Sequence, residues 1–320
     1  MTQPYASSRS IGLGILCGMG AGALWGLVFL APELAREFGP LQLTIGRYLA
    51  YGMISAALIA PRWRQLRGAI GRREWIALGW LALAGNTAYF ILLASAVQIG
   101  GIAMTSLVIG FLPVAVTIIG SRDRDAVPLT RLAPSLLLCV GGAVCIGWQA
   151  VAMPASGSVG AQLTGLACAI GALASWTAFA VGNARWLGRL DQVSSDEWNL
   201  LTGIVTGAQS LVLVPVALAI GTGAHAGSAW ALLGGVSVGV ALFASILGNA
   251  LWNRMSRMLP LTLVGQMILF ETLFALIYGF AWEGRWPSLA EVGAFALIVA
   301  GVASCIAAHR RPAPELRAAA

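Results

Sequence analysis

The stretch Ile11–Leu30, I-G-L-G-I-L-C-G-M-G-A-G-A-L-W-G-L-V-F-L, sets the frame for the whole chain. It carries no charge over a length that matches the roughly 20 residues an α-helix needs to cross a bilayer. Gly14, Gly18, Gly22 and Gly26 recur every fourth residue, three overlapping G-x-x-x-G steps that make one face small enough for close helix approach. Much of the pattern returns at an offset of 151, where Gly14, Cys17, Gly20, Ala21, Ala23 and Trp25 meet Gly165, Cys168, Gly171, Ala172, Ala174 and Trp176. Two spanning helices of one ancestry, half a chain apart, predict an internal repeat.

Working outward, nine further nearly charge-free runs have spanning length: Leu41–Ala60, Trp75–Ala96, Ile102–Gly120, Leu132–Ala152, Gly160–Ala184, Trp198–Gly221, Ser228–Trp252, Leu261–Ala281 and Leu289–Ala308. Ten such runs consume most of the 320 residues, of which 58% are hydrophobic and only 10% charged, with a mean hydropathy of +0.83. A water-soluble globule is excluded, and no stretch remains for a sizeable soluble domain. Continuous apolar runs of helix length also argue against a β-barrel, whose strands alternate over about ten residues. The expected fold is therefore an all-α integral membrane protein with ten transmembrane helices.

A second alignment, at an offset of 159, pairs Phe111 with Phe270, Gly120 with Gly279, Pro128 with Pro287 and Gly142 with Gly301. The repeat unit is thus five helices, residues 1–152 and 153–308, followed by a tail, 309–320. An odd number of spans turns the second copy upside down, giving two inverted repeats about an axis in the membrane plane.

The net charge of +7 comes from nineteen arginines against twelve acids, without a single lysine. With the N-terminus in the cytoplasm, sixteen arginines fall on the inner side, including Arg62, Arg64, Arg67, Arg72, Arg73, Arg122, Arg124, Arg185, Arg189, Arg254 and Arg257. Arg36 and Arg285 fall outside, and Arg47 lies within a span. That asymmetry predicts both termini cytoplasmic. It makes the basic charge an orientation signal, not a nucleic-acid surface. Met1–Ser10 is too short and polar for a cleavable leader, so the first run stays as a helix.

Enzymatic chemistry finds little support. His225 and His309 lie outside the spans, the absence of lysine removes any phosphate-binding G-x-x-x-x-G-K-[ST] loop, and Glu271 is the sole carboxylate near the middle of a span. Cys17, Cys139, Cys145, Cys168 and Cys305 lack metal-ligand spacing and are expected as small packing residues. No metal and no cofactor is expected.

The architecture and several motifs resemble the drug/metabolite transporter superfamily in its EamA-type branch: G-A-G-A-L-W-G at Gly20–Gly26, Arg47 early in the second helix, F-L-P-V at Phe111–Val114 and F-E-T-L-F-A at Phe270–Ala275. The tryptophan-bearing first and sixth helices, with W-N-R at Trp252–Arg254, are similar to bacterial aromatic amino acid exporters. The sequence departs from a symmetric L-E-P-V pattern, with Leu112 at the acidic position of the first half and Thr272 at the proline position of the second. The resemblance implies a cavity built from the first, third, fourth, sixth, eighth and ninth helices.

The candidate substrate-binding residues are Trp25, Asn86, Tyr89, Trp176, Ser245, Asn249, Trp252 and Glu271. Asn86, Tyr89 and Phe90 share a helix face, and Ser245, Asn249, Trp252 and Asn253 form one polar stripe. Lining a cavity and joining packed helices are both open to these amides. Trp25 and Trp176 lie inside their spans, where aromatic walls suit aromatic or cationic substrates. Trp63, Trp75, Trp186, Trp198, Trp230 and Trp286, at span ends, are expected as interface anchors. An intramembrane charge costs roughly 2.5–3.5 kcal/mol on insertion scales, so Glu271 and Arg47 each need a reason. Glu271 is expected to bind a proton or a substrate amine, or to serve as a structural carboxylate. Arg47, near the outer end of its span where it can snorkel, is expected chiefly as an anchor or a member of a structural ion pair.

The function expected is that of an inner-membrane secondary transporter exporting small amphipathic metabolites, aromatic or other amino acids first, by alternating access. A broad drug or cation efflux transporter is the related alternative, and a passive channel the alternative of another class. The partners are a small-molecule substrate and the lipid bilayer, not nucleic acid, with a homo-oligomer left open.

Overall fold

The computed structural model describes residues 8–120, 128–152, 159–220, 223, 225–284 and 286–310. Arg122, Arg124, Arg285, Arg311 and Arg317, and the predicted boundary between the two repeats at residue 153, lie outside the described residues. Every regular element among the described residues is a helix. In chain order the principal ones are α1 (Ser8–Gly26), α2 (Pro40–Ile59), α3 (Arg72–Ala82), α4 (Ala88–Ile109), α5 (Leu112–Gly120), α6 (Leu129–Ala152), α7 (Val159–Leu187), α8 (Ser195–Ile220), α9 (Gly227–Val240), α10 (Asn249–Met258), α11 (Leu261–Met267), α12 (Leu269–Glu283) and α13 (Leu289–Arg310).

Local chemistry sets the helix limits. Pro40 opens α2 at a position where its missing N–H costs nothing, and Gln42 Oε1 accepts the Gly39 N–H at 2.7 Å. A reciprocal capping box opens α8: Ser194 Oγ accepts the Glu197 N–H (3.1 Å) and Glu197 Oε2 accepts the Ser194 N–H (2.9 Å). Gly284, at φ 62°, closes α12 in the left-handed region that glycine adopts without penalty. Gly101, at φ 82°, kinks α4.

Among the described residues, seven helical stretches are long and apolar enough to cross a membrane: Ile11–Leu34, Pro40–Ala69, Arg72–Ile102, Leu163–Leu187, Ser195–Ile220, Gly227–Met258 and Leu263–Trp282. Leu129–Gly142 and Val292–Cys305 are shorter apolar stretches. The expected span Ile102–Gly120 is broken at Gly110–Phe111, just before Pro113, and continues as α5. The expected span Leu261–Ala281 is broken at Ile268, between α11 and α12.

Two wide-turn π segments stand inside otherwise regular helices. Leu83–Thr87 joins α3 to α4, and Ala241–Gly248 joins α9 to α10. A π turn shifts the backbone bonds to i→i−5, and side chains of other helices also bond to one carbonyl in each segment. Ser175 Oγ on α7 donates to the Ala84 carbonyl (2.7 Å), and Trp25 Nε1 on α1 donates to the Ala244 carbonyl (3.0 Å).

Packing is closest where side chains are smallest. The glycine face of α1 lies against Leu259 and α10–α12: a Cβ on Gly22 would stand 2.7 Å from the Phe270 carbonyl carbon and 2.8 Å from the Glu271 nitrogen. Helices α2 and α8 cross at Gly52 and Gly207, where a Cβ on either would lie 2.8 Å from the other's Cα. Both crossings are small-residue contacts of the kind that join helices in lipid. Helices α6 and α13 pack along one another, with Ser135 Oγ donating to the Gly301 carbonyl at 2.8 Å.

One tryptophan expected at an interface is a core residue. Trp198 has no exposed surface, stacks on Trp186 with centroids 6.2 Å apart, and donates from Nε1 to Asn183 Oδ1 at 3.0 Å. Asn183 Nδ2 in turn donates to Asn253 Oδ1 at 2.8 Å. This network buries the first turn of α8 against α7 and α10, so its position at a span end does not expose it. Trp63, Trp75, Trp230 and Trp286 are exposed as expected.

Candidate functional site

Three indoles from three helices meet in the interior. The ring centroids of Trp25 on α1 and Trp176 on α7 are 5.4 Å apart, edge to face, and Trp252 on α10 lies 4.9 Å from Trp25 and 5.2 Å from Trp176. Tyr89 on α4 extends the cluster, 6.3 Å from Trp176. Contacts of this geometry contribute about 0.5–1.5 kcal/mol each beyond the area they bury. The register that brings Trp25 to this point depends on the glycine face of α1. Gly248, where a Cβ would stand 2.8 Å from Trp25 Nε1, leaves room for the indole.

Within electrostatic range of Tyr89 lies a charged group that sequence reasoning assigned elsewhere. Arg47 does not snorkel outward; it is 7% exposed. Its Nε and Nη2 both donate to Ser245 Oγ at 3.2 Å, and its guanidinium lies 4.5 Å from the Phe90 ring centroid and 4.9 Å from that of Tyr48. A planar cation over two aromatic faces is held by cation–π attraction, which strengthens out of water. The π segment at Ala241–Gly248 carries Ser245, which is how the fixed partner for Arg47 comes within reach. Arg47 is the principal residue the sequence reading missed. A charge inside a span was the available signal, and its partner 198 residues away was not visible.

Glu271, on the first turn of α12, is 3% exposed and within electrostatic range of both Arg47 and Tyr89. Among the described residues, Arg47 Nη1, Tyr48 Oη, Tyr89 Oη, Trp252 Nε1 and Glu271 Oε2 are buried without a hydrogen-bond partner. Buried polar groups in proteins are overwhelmingly satisfied. Two of these atoms belong to the aromatic cluster, on Tyr89 and Trp252, and the other three belong to Arg47, Tyr48 and Glu271, all within electrostatic range of Tyr89, a combination suited to a polar and aromatic guest.

The other predicted residues divide. Asn86 turns away to donate from Nδ2 to Thr206 Oγ1 on α8 (3.1 Å), which is the helix-joining role. Ser245 holds Arg47. Asn249 is half-buried and reaches the Tyr51 hydroxyl, which also donates to Asn199 Oδ1 at 2.6 Å. Asn199 Nδ2 donates to the Ile246 carbonyl (3.0 Å), so these amides fasten α2 and α8 to the π segment. Trp25, Tyr89, Trp176 and Trp252 form the cluster itself, with Glu271 within electrostatic range of Tyr89. The five cysteines are free thiols, and no group of three or more metal-ligating side chains occurs among the described residues.

A bundle of apolar helices around a buried aromatic and charged centre is the build of a helical membrane transporter of small molecules. Residues 12–148 match the EamA-like transporter family. The chain is also 32% identical over 328 residues to "Inner membrane protein YtfF" of Escherichia coli (strain K12), covering 95% of this chain and 97% of that one. The chain belongs to the EamA-like transporter family, within the drug/metabolite transporter superfamily. A solved crystal structure with 19% sequence identity superposes with a TM-score of 0.69, covering 93% of this chain and 99% of the other, and shows the likeness of fold alone.

Proposed function

We propose that this protein is an inner-membrane secondary transporter exporting small amphipathic metabolites, with aromatic and other amino acids as the substrate class, by alternating access. The observation that carries the reading is the cage of Trp25, Trp176 and Trp252, extended by Tyr89, with the buried Arg47 guanidinium and the buried Glu271 carboxyl group within electrostatic range of Tyr89. An indole cage takes an aromatic side chain by stacking. The flanking guanidinium is a partner for a substrate carboxylate, and the Glu271 carboxylate is one for a substrate ammonium. The Trp25, Tyr89, Trp176, Trp252 and Glu271 side chains make the contact surface, while Asn86, Ser245 and Asn249 hold its walls.

The frame we propose is ten transmembrane helices in two inverted five-helix repeats, both termini cytoplasmic. Paired features support it. The π segments Leu83–Thr87 and Ala241–Gly248 fall in the third and eighth predicted spans. Helix breaks at Gly110–Phe111 and Ile268 fall in the fourth and ninth. A side chain of the sixth span meets the first π segment, and one of the first span meets the second. Broken helices at the repeat interface are the usual seat of a transporter's substrate site. The Escherichia coli relative is an inner membrane protein, which supports the inner-membrane location.

The test is counterflow in liposomes carrying the purified protein, with radiolabelled tryptophan, phenylalanine and leucine inside and out. Saturable, trans-stimulated uptake stronger for the aromatic substrates is expected. Flux that never saturates indicates a channel, and trans-stimulation by organic cations alone indicates a cation efflux transporter.

A further inference from the structure

A second candidate site lies on the flank of the molecule, away from the indole cage. A hollow of about 740 Å³ runs along α7, with Ile170, Leu173, Ala174, Ala178 and Val181 on its floor and Ala115 and Ile119 of α5 opposite. From Ile170 to Arg185 it follows fifteen residues of helix, about 22 Å at the α-helical rise. That exceeds the ~15 Å depth of one leaflet of a ~30 Å hydrocarbon core by about the reach of a headgroup. Ile170, Ala174 and Ala178 are exposed, so in a bilayer this floor is covered by lipid.

One end of the hollow differs in kind from the rest. Trp80 and Trp186 stand there with Arg185 and Arg189, and the Arg189 guanidinium lies 6.0 Å from the Trp186 ring centroid. A neighbouring hollow of about 490 Å³ shares Trp186 and Arg189 and adds Arg73 from α3. Glu74 is the carboxylate on this rim, and its Oε2 is engaged by the Gly71 N–H at 2.8 Å. An apolar trough of leaflet depth ends in indoles, which favour the headgroup level, and in three arginines, which favour phosphate. Basic pockets between transmembrane helices are established seats for anionic headgroups.

We infer that this groove binds one anionic phospholipid, with its acyl chains along α7 between Ile170 and Val181 and its phosphate among Arg73, Arg185 and Arg189. The charge of the rim selects the headgroup, and the apolar floor selects a lipid over a soluble anion. With α7 anchored on one side and α3 and α5 on the other, the bound lipid ties helices of both halves of the chain together.

The test uses full-length protein, delipidated in detergent and titrated in native mass spectrometry. The probes are phosphatidylglycerol, phosphatidylcholine with the same chains, and inorganic phosphate. The wild type is expected to retain phosphatidylglycerol at least tenfold more tightly than phosphatidylcholine, with inorganic phosphate failing to compete. The double variant Arg73→Gln/Arg189→Gln should lose that preference at least fivefold, whereas Ala178→Trp should fill the trough and weaken both lipids. Thermal unfolding checks that each variant is folded. If the double variant is not recovered, Arg189→Gln alone is read the same way. Equal retention of the two lipids by wild type, or an unchanged preference in the folded arginine variant, overturns the site. Competition by inorganic phosphate at the lipid's own affinity overturns the lipid assignment. Neither result bears on transport through the indole cage.

Discussion

The indoles of Trp25 and Trp176, aligned with each other at an offset of 151 in sequence, touch edge to face with centroids 5.4 Å apart. In the two-repeat frame proposed above, residues so aligned and in contact lie close to the axis relating the repeats, and a motion that tilts one five-helix unit against the other acts first on this ring pair. Trp252 is in contact with both rings, so a guest entering the cage must part at least two of the three.

Substitutions in the cage should separate contact from folding. Truncating a buried tryptophan to alanine costs about 3–5 kcal/mol of stability, so Trp176→Phe is the cleaner probe. It keeps a ring beside Tyr89 and Trp252 and should lower kcat/KM for an aromatic substrate about tenfold with little change in Tm. Tyr89→Phe removes only a hydroxyl that has no hydrogen-bond partner among the described residues. A several-fold rise in KM for Tyr89→Phe assigns that hydroxyl to the substrate; unchanged kinetics with wild-type Tm returns it to packing.

Arg47 and Glu271 should depend on one another. The two groups lie within electrostatic range of one another, and Arg47 Nη1 and Glu271 Oε2 each lack a hydrogen-bond partner among the described residues, so removing either should cost less than the roughly 3–5 kcal/mol of a broken buried ion pair. Arg47→Gln and Glu271→Gln should each lower the thermal midpoint, and the double variant should lie closer to wild type than the two losses added together. Unfolding midpoints for the four proteins of this double-mutant cycle measure the coupling. Strict additivity would mean that Arg47 is held only by Ser245, Tyr48 and Phe90.

The glycine face of α1 makes a steric prediction. A methyl at Gly22 meets the backbone of Phe270 and Glu271, which cannot rotate aside as a side chain can. Gly22→Ala should destabilise by about 1–3 kcal/mol, the usual cost of overpacking. Gly12→Ala, where a Cβ meets nothing within 4 Å, should be neutral. The pair is compared by detergent-solubilised Tm.

Orientation can be read by chemistry. In a background without the five native cysteines, Ser228→Cys, at the exposed start of α9, should react with an impermeant thiol reagent applied to the outer face of intact cells. Arg67→Cys, on the exposed side of the short helix Trp63–Ala69, should react only after the membrane is opened. The reverse pattern would invert the topology.

Hydropathy made the helices legible, because a bilayer demands some twenty apolar residues wherever the chain crosses. The glycine face and the two tryptophans aligned 151 residues apart were legible in the same way, because spacing of 4 and an offset of 151 are properties of the sequence itself. The π segments were not. Their geometry depends on partners such as Ser175 and Trp25, which arrive from 91 and 219 residues away. Arg47 was misplaced for a related reason. Depth in a span suggests snorkelling, but burial is decided by whether a hydroxyl and two aromatic faces are waiting, and Ser245, Tyr48 and Phe90 supply them. Trp198 shows the same limit, since a residue at a span end is buried when a neighbouring helix runs past it.

The last prediction concerns coupling. Glu271 sits on the first turn of α12, beside the break at Ile268 and within electrostatic range of Arg47 and Tyr89. If access alternates about this point, the carboxylate can exchange a proton or a substrate ammonium with one side at a time. Glu271→Gln keeps the shape and cannot release a proton. In liposomes with an imposed pH gradient, a coupling residue so altered should abolish concentrative transport, flatten its pH dependence and leave substrate exchange within a few-fold of wild type. A structural carboxylate behaves otherwise: its replacement shifts the thermal midpoint and leaves the pH profile of transport where it was. That second outcome, with exchange and concentrative transport falling together, would remove Glu271 from the coupling step and leave Arg47 and the indole cage as the substrate-binding elements.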